Sequence, residues 1–173
     1  MSRIFGVARQ NGYVVRDIEA AMQHWSSQLG IGPWFYLPDL APKDFRYRGQ
    51  PSPATMSVAF ANTGNLQIEL IQPLNDAPSA YRDFLAAGRE GLQHLSSWEE
   101  NLEQIIRRAA DHGIGIYHEG RLGGARFVYF ATETHPGTVY EVAAPDERTW
   151  ELFRKVREAA LSWDGSDPIR TRW

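Results

Sequence analysis

Four polar residues lie within segments that otherwise look like buried strands: the amide Gln10, the carboxylates Glu69 and Glu141, and the imidazole His94. The two glutamates stand inside the apolar stretches QIELI and VYEVA, where an unpaired buried carboxylate is costly. Their oxygen and nitrogen donors suit a divalent ion in octahedral geometry, with two positions left for water or substrate. Such an ion could stabilise an enolate oxygen while a glutamate takes the proton beside the carbonyl.

The elements that must position these residues occur twice in the chain. Each half is predicted to form a strand, a helix and three further strands. LGIG at 29–32 matches HGIG at 112–115, a shift of 112 − 29 = 83, and IELIQP at 68–73 matches YEVAAP at 140–145, a shift of 140 − 68 = 72. In this alignment Gln10 falls opposite His94 and Glu69 opposite Glu141. A pseudo-twofold axis between two such modules would bring all four side chains together.

Other segments surround these two modules. Residues 38–53 contain four prolines and are predicted to be an excursion loop. A final helix is expected over about 146–163, followed by a loose tail, and the apolar face of this helix needs a partner surface. His24, His112 and His118 are expected at the surface or at helix ends.

The composition narrows the class of function. A net charge of −3 without a basic stripe argues against nucleic acid, and no apolar run is long enough to span a membrane. The absence of cysteine excludes disulfides and thiolate sites and fits the cytoplasm. The 6 Trp, 7 Tyr and 8 Phe suit either a core or an apolar ligand pocket.

Five stretches carry a resemblance to a known family: QNGYVVRDIEAAMQHW, GIGPW, LQIELIQP, GLQHLSSW and PGTVYEV. They resemble the vicinal oxygen chelate superfamily, which includes glyoxalase I, methylmalonyl-CoA epimerase, extradiol dioxygenases and bleomycin-resistance proteins. The resemblance covers about residues 8–145. It implies an α+β fold in which tandem βαβββ modules, about 8–74 and 90–145, form a cupped eight-stranded sheet. One domain, 1–173, would also include the C-terminal helix.

The resemblance also implies the site. Gln10, Glu69, His94 and Glu141 would bind one divalent ion (Zn, Ni, Co, Mn or Mg). Gln10 stands where His is commoner, although some glyoxalase I enzymes use a similar Gln, Glu, His, Glu set. Glu141 would be the metal-linked base, and Glu69 would serve the opposite face of the substrate.

The implied function is a metal-dependent isomerase, epimerase or lyase that removes a proton alpha to a carbonyl, similar to glyoxalase I or methylmalonyl-CoA epimerase. Its substrate would be a small carbonyl compound or thioester. One alternative is a metal-free binding or resistance protein. Another is an extradiol dioxygenase, which needs two histidines and one carboxylate, so Gln10 disfavours it. Many relatives form dimers, and we expect a homodimer here.

Five further residues are candidates for substrate binding. Arginine binds carboxylate or phosphate through two parallel hydrogen bonds, and aromatic rings can line an apolar pocket. The candidates are Trp34, Arg46, Arg48, Arg126 and Tyr129.

Overall fold

A computed structural model of the chain describes residues 1–172. Its helices and strands follow one another in two similar halves with a C-terminal extension. In chain order they are β1 (Ala8–Val14), α1 (Ile18–Leu29), β2 (Trp34–Leu40), β3 (Lys43–Tyr47), β4 (Gln50–Pro51), β5 (Met56–Thr63), β6 (Leu66–Pro73), α2 (Ala80–Ala86), β7 (Gly91–Trp98), α3 (Leu102–Asp111), β8 (Ile116–Leu122), β9 (Ala125–Phe130), β10 (Val139–Ala144), α4 (Glu147–Leu161) and β11 (Ile169–Arg170).

All strands belong to one sheet with the order β11-β2-β5-β6-β1-β7-β10-β9-β8-β3-β4. The first module is β1-α1-β2-β5-β6 and the second is β7-α3-β8-β9-β10. Their first strands, β1 and β7, pair antiparallel at the centre, so that the strand orders of the two modules mirror each other. The predicted α+β fold of tandem βαβββ modules with a C-terminal helix is therefore confirmed.

The prediction of an excursion loop over 38–53 is wrong, because this segment adds strands to the sheet. β3 pairs with β8 of the second module, whereas β2 pairs with β5 of the first. The two residues between β2 and β3 thus cross from one module to the other, and the sheet curves round to close the cup on that side. The prolines are tolerated because Pro38 lies at a register irregularity and Pro51 lies in the edge strand β4.

The C-terminal residues also pack against the sheet rather than remaining loose. β11 pairs in parallel with β2, and the amide of Trp34 donates to the carbonyl of Pro168 at 2.8 Å. The helix α4 begins at its N-cap Asp146 and buries Phe153 and Val156. Phe153 contacts Phe60 of β5, so part of the apolar face for which we expected a partner is covered by the same chain, whereas Trp150 stays 40% exposed.

No helix within residues 1–172 combines the length and the apolar character needed to cross a lipid bilayer.

Candidate metal centre

The four predicted ligands lie on the four adjacent central strands β6, β1, β7 and β10. Gln10 and Glu141 both pair with Ser96 of β7, one from each side. His94 lies two residues before Ser96 on β7. Gln10 pairs with Gln67 of β6, and Glu69 lies two residues after Gln67. Because side chains alternate along a strand, all four project from the same face of the sheet.

Three of these side chains converge closely. His94 Nε2 lies 3.3 Å from Glu69 Oε2 and 3.6 Å from Glu141 Oε2. One ligand atom from each residue lies within 4.8 Å of the other two. Ligands about 2.1 Å from one ion lie about 3.0 Å apart when adjacent and about 4.2 Å apart when opposite. The observed spacing is slightly wider, and small side-chain rotations would bring these atoms to a single ion.

Gln10 is buried beside this group and lines the same cavity as both glutamates. Its side-chain amide nitrogen donates a 2.7 Å hydrogen bond to Gln67 Oε1. That bond leaves the carbonyl oxygen as the atom through which Gln10 would act as a ligand, and a carbonyl oxygen suits a hard divalent cation.

The charges of the group also fit a cation. Glu69 Oε2 is buried without a hydrogen-bond partner among the described residues. Burial raises the pKa of Glu69 to about 8 and that of Glu141 to about 7, and it lowers the pKa of His94 to about 4. Near neutral pH the imidazole is therefore neutral and able to ligate, while the carboxylates lack the positive charge that would favour ionisation. A divalent ion would supply that charge.

A chain of hydrogen bonds fixes the His94 ring. Its Nδ1–H donates to Gln93 Oε1 at 2.8 Å, so Nε2 carries the lone pair that faces the carboxylates. The Tyr129 hydroxyl lies 3.2 Å from Nε2, to which it donates in the metal-free protein, and the Tyr81 hydroxyl donates to that of Tyr129 at 3.0 Å. An ion at Nε2 would take the place of the Tyr129 proton on this lone pair. The Gln93 side chain on the other ring nitrogen is the partner that orients the ring and sets its tautomer.

We expect Gln93→Met to weaken divalent-ion binding by about 10- to 100-fold, because it removes the acceptor that holds Nδ1–H but preserves side-chain length. Competition with a chelating dye would measure the affinity, and circular dichroism would check the fold. The exposed residue Gln104, changed to Met in the same way, is the matched control. Unchanged affinity in a folded Gln93→Met protein would show that this hydrogen bond does not support the site.

Gly12 provides the space that His94 occupies. The two residues are paired across β1 and β7, and a Cβ atom at Gly12 would overlap the imidazole ring. Any larger residue at position 12 would displace the ring. Sequence reasoning missed this role, although a glycine inside the strand stretch NGYVV is the usual signal of such a close approach.

Gln10, Glu69 and Glu141 line a cavity of about 580 Å³, and the fully buried His94 lies behind them. A volume of this size is ordinary for a small-molecule site. Its walls come from both modules and from α4. Among the residues that line it are Leu37, Val58, Phe60, Trp98, Phe127 and Phe153.

Of the predicted substrate-binding residues, Tyr129 is buried beside the ligand group, with its hydroxyl 3.2 Å from His94 Nε2, and it is not among the residues that line the cavity. Trp34 is fully buried in the core behind the sheet, where it packs edge-on against Trp25 of α1. The structure therefore places Trp34 away from the cavity, and its role there is packing.

The three predicted arginines do not line the cavity. Arg46 is exposed and donates to the Gly49 carbonyl. Arg48 lies over the rings of Tyr47 and Tyr117.

Arg126 forms ion pairs with Glu103 and Glu119. Its side chain is on the opposite face of β9 from that of Phe127, which lines the cavity, because neighbouring residues of a strand point to opposite faces.

His118 is fully buried, contrary to the expected surface position, whereas His24 and His112 are exposed as expected. Its ring centroid lies 4.0 Å from that of Tyr129, and burial lowers its pKa well below the usual value. His118 Nε2 has no hydrogen-bond partner among residues 1–172. Strand alternation in IYHEG, which placed His118 on the inner face of β8, was the signal that we missed.

Comparison with known proteins gives a family and a fold. The sequence model of the Glyoxalase/Bleomycin resistance protein/Dioxygenase superfamily matches residues 9–131. No curated protein sequence matches the chain.

Solved structures share the fold. A hypothetical protein from Bacillus halodurans C-125 aligns with a TM-score of 0.59 at 20% identity, covering 82% of this chain and 95% of its own. Methylmalonyl-CoA epimerase from Mycobacterium tuberculosis aligns with a TM-score of 0.61 at 18% identity, covering 87% and 95%. A Streptomyces coelicolor methylmalonyl-CoA epimerase in complex with 2-nitronate-propionyl-CoA aligns with a TM-score of 0.56 at 17% identity, covering 83% and 96%.

Proposed function

Because the chain belongs to the glyoxalase/bleomycin resistance protein/dioxygenase superfamily, we propose that it is a metal-dependent enzyme that abstracts a proton alpha to a carbonyl group. It would act as an isomerase, epimerase or lyase, similar to glyoxalase I or methylmalonyl-CoA epimerase. The observation that carries this proposal is the buried group of Glu69, His94 and Glu141, whose two glutamates line an otherwise largely apolar cavity. Because two of the similar structures are methylmalonyl-CoA epimerases, carbonyl compounds and thioesters are the substrates to test.

In this proposal Gln10, Glu69, His94 and Glu141 hold one divalent ion. When bound, the ion supplies Lewis-acid stabilisation of negative charge on the substrate oxygen. Its identity, among Zn, Ni, Co, Mn and Mg, is left to experiment.

The two glutamates would divide the proton transfers between them. In this proposal Glu141 of the second module takes the α-proton and Glu69 of the first module serves the opposite face of the substrate; their Oε2 atoms lie 3.6 Å and 3.3 Å from His94 Nε2. An epimerase would use one glutamate on each face of the planar intermediate, whereas a one-base isomerase would return the proton from Glu141. The apolar rings of Phe60 and Phe127 would keep bulk water from the reacting carbon.

A metal-free binding protein is the second candidate, and the aromatic cavity wall is the observation that favours it. Phe153 stacks on Trp98 with centroids 4.5 Å apart, and both rings line the cavity. The extradiol dioxygenase alternative needs two histidines. The buried ligand group found within residues 1–172 contains one imidazole and two carboxylates, which argues against that alternative. A cytoplasmic homodimer remains our prediction.

Solvent exchange tests the proposed function directly. The purified protein, loaded with each divalent ion in turn, is incubated in D2O with a panel of thioesters, α-hydroxy thioesters and ketones. We expect deuterium at the α-carbon of at least one compound, lost on chelation and restored by the ion. Exchange that survives complete removal of metal, or binding of panel members with no exchange under any ion, would contradict the proposal.

A further inference from the structure

The helix α4 forms one wall of the cavity, although it lies beyond the residues that match the superfamily. The match ends at residue 131, and α4 begins at Glu147. Thr149, Leu152 and Phe153 of α4 line the cavity, and Phe153 packs against Phe60 with ring centroids 5.5 Å apart. One wall of the cavity therefore comes from a part of the chain that lies outside the family match.

The cavity extends well beyond the ligand group. Glu141 pairs with Tyr129, and two residues further along these antiparallel strands Ala143 pairs with Phe127. Both of the latter line the cavity, as does Ala125 at the start of β9. Two successive residues of a strand span about 6.6 Å. Ala125 lies four residues along β9 from Tyr129, the partner of Glu141, so it is about 13 Å from the level of Glu141.

Two charged residues, Asp146 and Arg148, also line the cavity, and Asp146 lies beside Gly124 at this far end. Arg148 follows Asp146 in the first turn of α4. Asp146 is already occupied as the N-cap of α4, because its Oδ1 accepts hydrogen bonds from the amide of Thr149 at 2.9 Å and from its hydroxyl at 2.6 Å. Its carboxylate also packs against Gly124, where a Cβ atom would overlap it. Asp146 therefore closes the contact between the β8–β9 turn and α4.

Arg148 is different, because it is exposed and forms no ion pair or hydrogen bond with any residue in 1–172; its charged neighbour is the capping carboxylate of Asp146, on which its positive charge acts from a longer distance. Arg126, by contrast, is paired with two glutamates. An unpaired guanidinium at the edge of an apolar cavity is suited to bind a carboxylate or phosphate.

We propose that the cavity takes a compact substrate with three parts: a carbonyl end beside Glu69 and Glu141, an apolar body, and an anionic group bound by Arg148. The assignment of the carbonyl end depends on the proposed function, whereas the anionic end does not. The cavity volume of about 580 Å³ matches a substrate of ordinary small-molecule size. A large carrier such as a complete coenzyme A would have to remain outside it.

Calorimetric binding of a matched series of probes tests this proposal. The probes are 7-oxooctanoate, its uncharged amide, the phosphonate of the same length, and propionyl-CoA. Each is titrated into the wild-type protein with and without Zn²⁺, and into Arg148→Gln and Arg148→Lys. Arg154→Gln is the control, because Arg154 is an exposed arginine of α4 that does not line this cavity.

We expect the carboxylate to bind at least about fivefold more tightly than the amide in the wild type and in the control. This preference should disappear in Arg148→Gln and be largely kept in Arg148→Lys. The affinity of the phosphonate, compared with that of the carboxylate, shows which of the two anionic groups the site binds more tightly.

If the ratio of the carboxylate affinity to the amide affinity is unchanged in Arg148→Gln, the proposal is overturned. It is also overturned if propionyl-CoA binds more tightly than 7-oxooctanoate and binds the wild type and Arg148→Gln equally. A ratio that depends on Arg148 without metal, together with no deuterium exchange, would support the anion site while contradicting the proposed enzyme activity.

Discussion

Replacement of Glu141 by Gln is expected to lower α-proton exchange by about 10²-fold or more, because the amide preserves the shape of the side chain but cannot accept the proton. The assay is deuterium incorporation at saturating substrate, with the metal content of each variant measured in the same sample. Glu158→Gln is the matched control, since Glu158 is exposed on α4 and pairs with Arg154.

The corresponding change at Glu69 separates an epimerase from a one-base isomerase. If Glu69 serves the opposite face, Glu69→Gln retains exchange with one stereoisomer and loses inversion. Exchange in Glu141→Gln at the wild-type rate, with metal still bound, would show that another group removes the proton.

The second large effect concerns stability and pH. In the metal-free protein, burial raises the pKa of Glu69 to about 8 and of Glu141 to about 7. The folded state therefore keeps protons that the unfolded chain has already released, so the free energy of unfolding falls as pH rises. Between its pKa in the unfolded chain and its pKa in the folded protein, each carboxyl group lowers the free energy of unfolding by up to about 1.4 kcal/mol for each unit of rising pH.

The informative window is pH 6.5–8.5. Below pH 6.5 the contribution of His94 to the pH dependence of stability has the opposite sign. Burial lowers its pKa, so the folded protein loses stability as the pH falls and the ring of the unfolded chain takes up a proton. Within the window we expect the midpoint of urea unfolding to fall up to about pH 8 and then to level. Saturating divalent ion should remove this decline, since a cation stabilises both carboxylates in their charged form.

The double variant Glu69→Gln/Glu141→Gln provides the control for this prediction. Without the two carboxylates, the free energy of unfolding should vary little between pH 6.5 and 8.5. A decline of the same size in the double variant would assign the effect to other groups.

The sequence was sufficient to predict the ligand candidates because the site repeats. Glu69 and Glu141 occupy matching positions in two strands that are otherwise apolar, and Gln10 and His94 lead the two modules. With the register of the paired strands, strand alternation puts the four side chains on one face. The structure brings Glu69, His94 and Glu141 together and places Gln10 against the same cavity.

The rest of the site depends on contacts between distant parts of the chain, which local patterns do not specify. Pairing of β3 with β8 closes the cup, yet nothing in a proline-rich stretch identifies its partner strand. The apolar face of α4 was evident, but the surface that it covers was not. Arg148 therefore escaped notice, while Arg46 and Arg48, placed in a supposed loop, were chosen because arginine can bind a carboxylate or phosphate through two hydrogen bonds.

X-ray diffraction at the absorption edge of a bound transition metal tests the central claim most directly. For protein crystallised with one equivalent of Zn²⁺, we predict one anomalous peak between the side chains of Glu69, His94 and Glu141. The ligand oxygen and nitrogen atoms should lie about 2.0–2.2 Å from it. A peak elsewhere on the chain, or none at this position in crystals that contain stoichiometric zinc, would contradict the account.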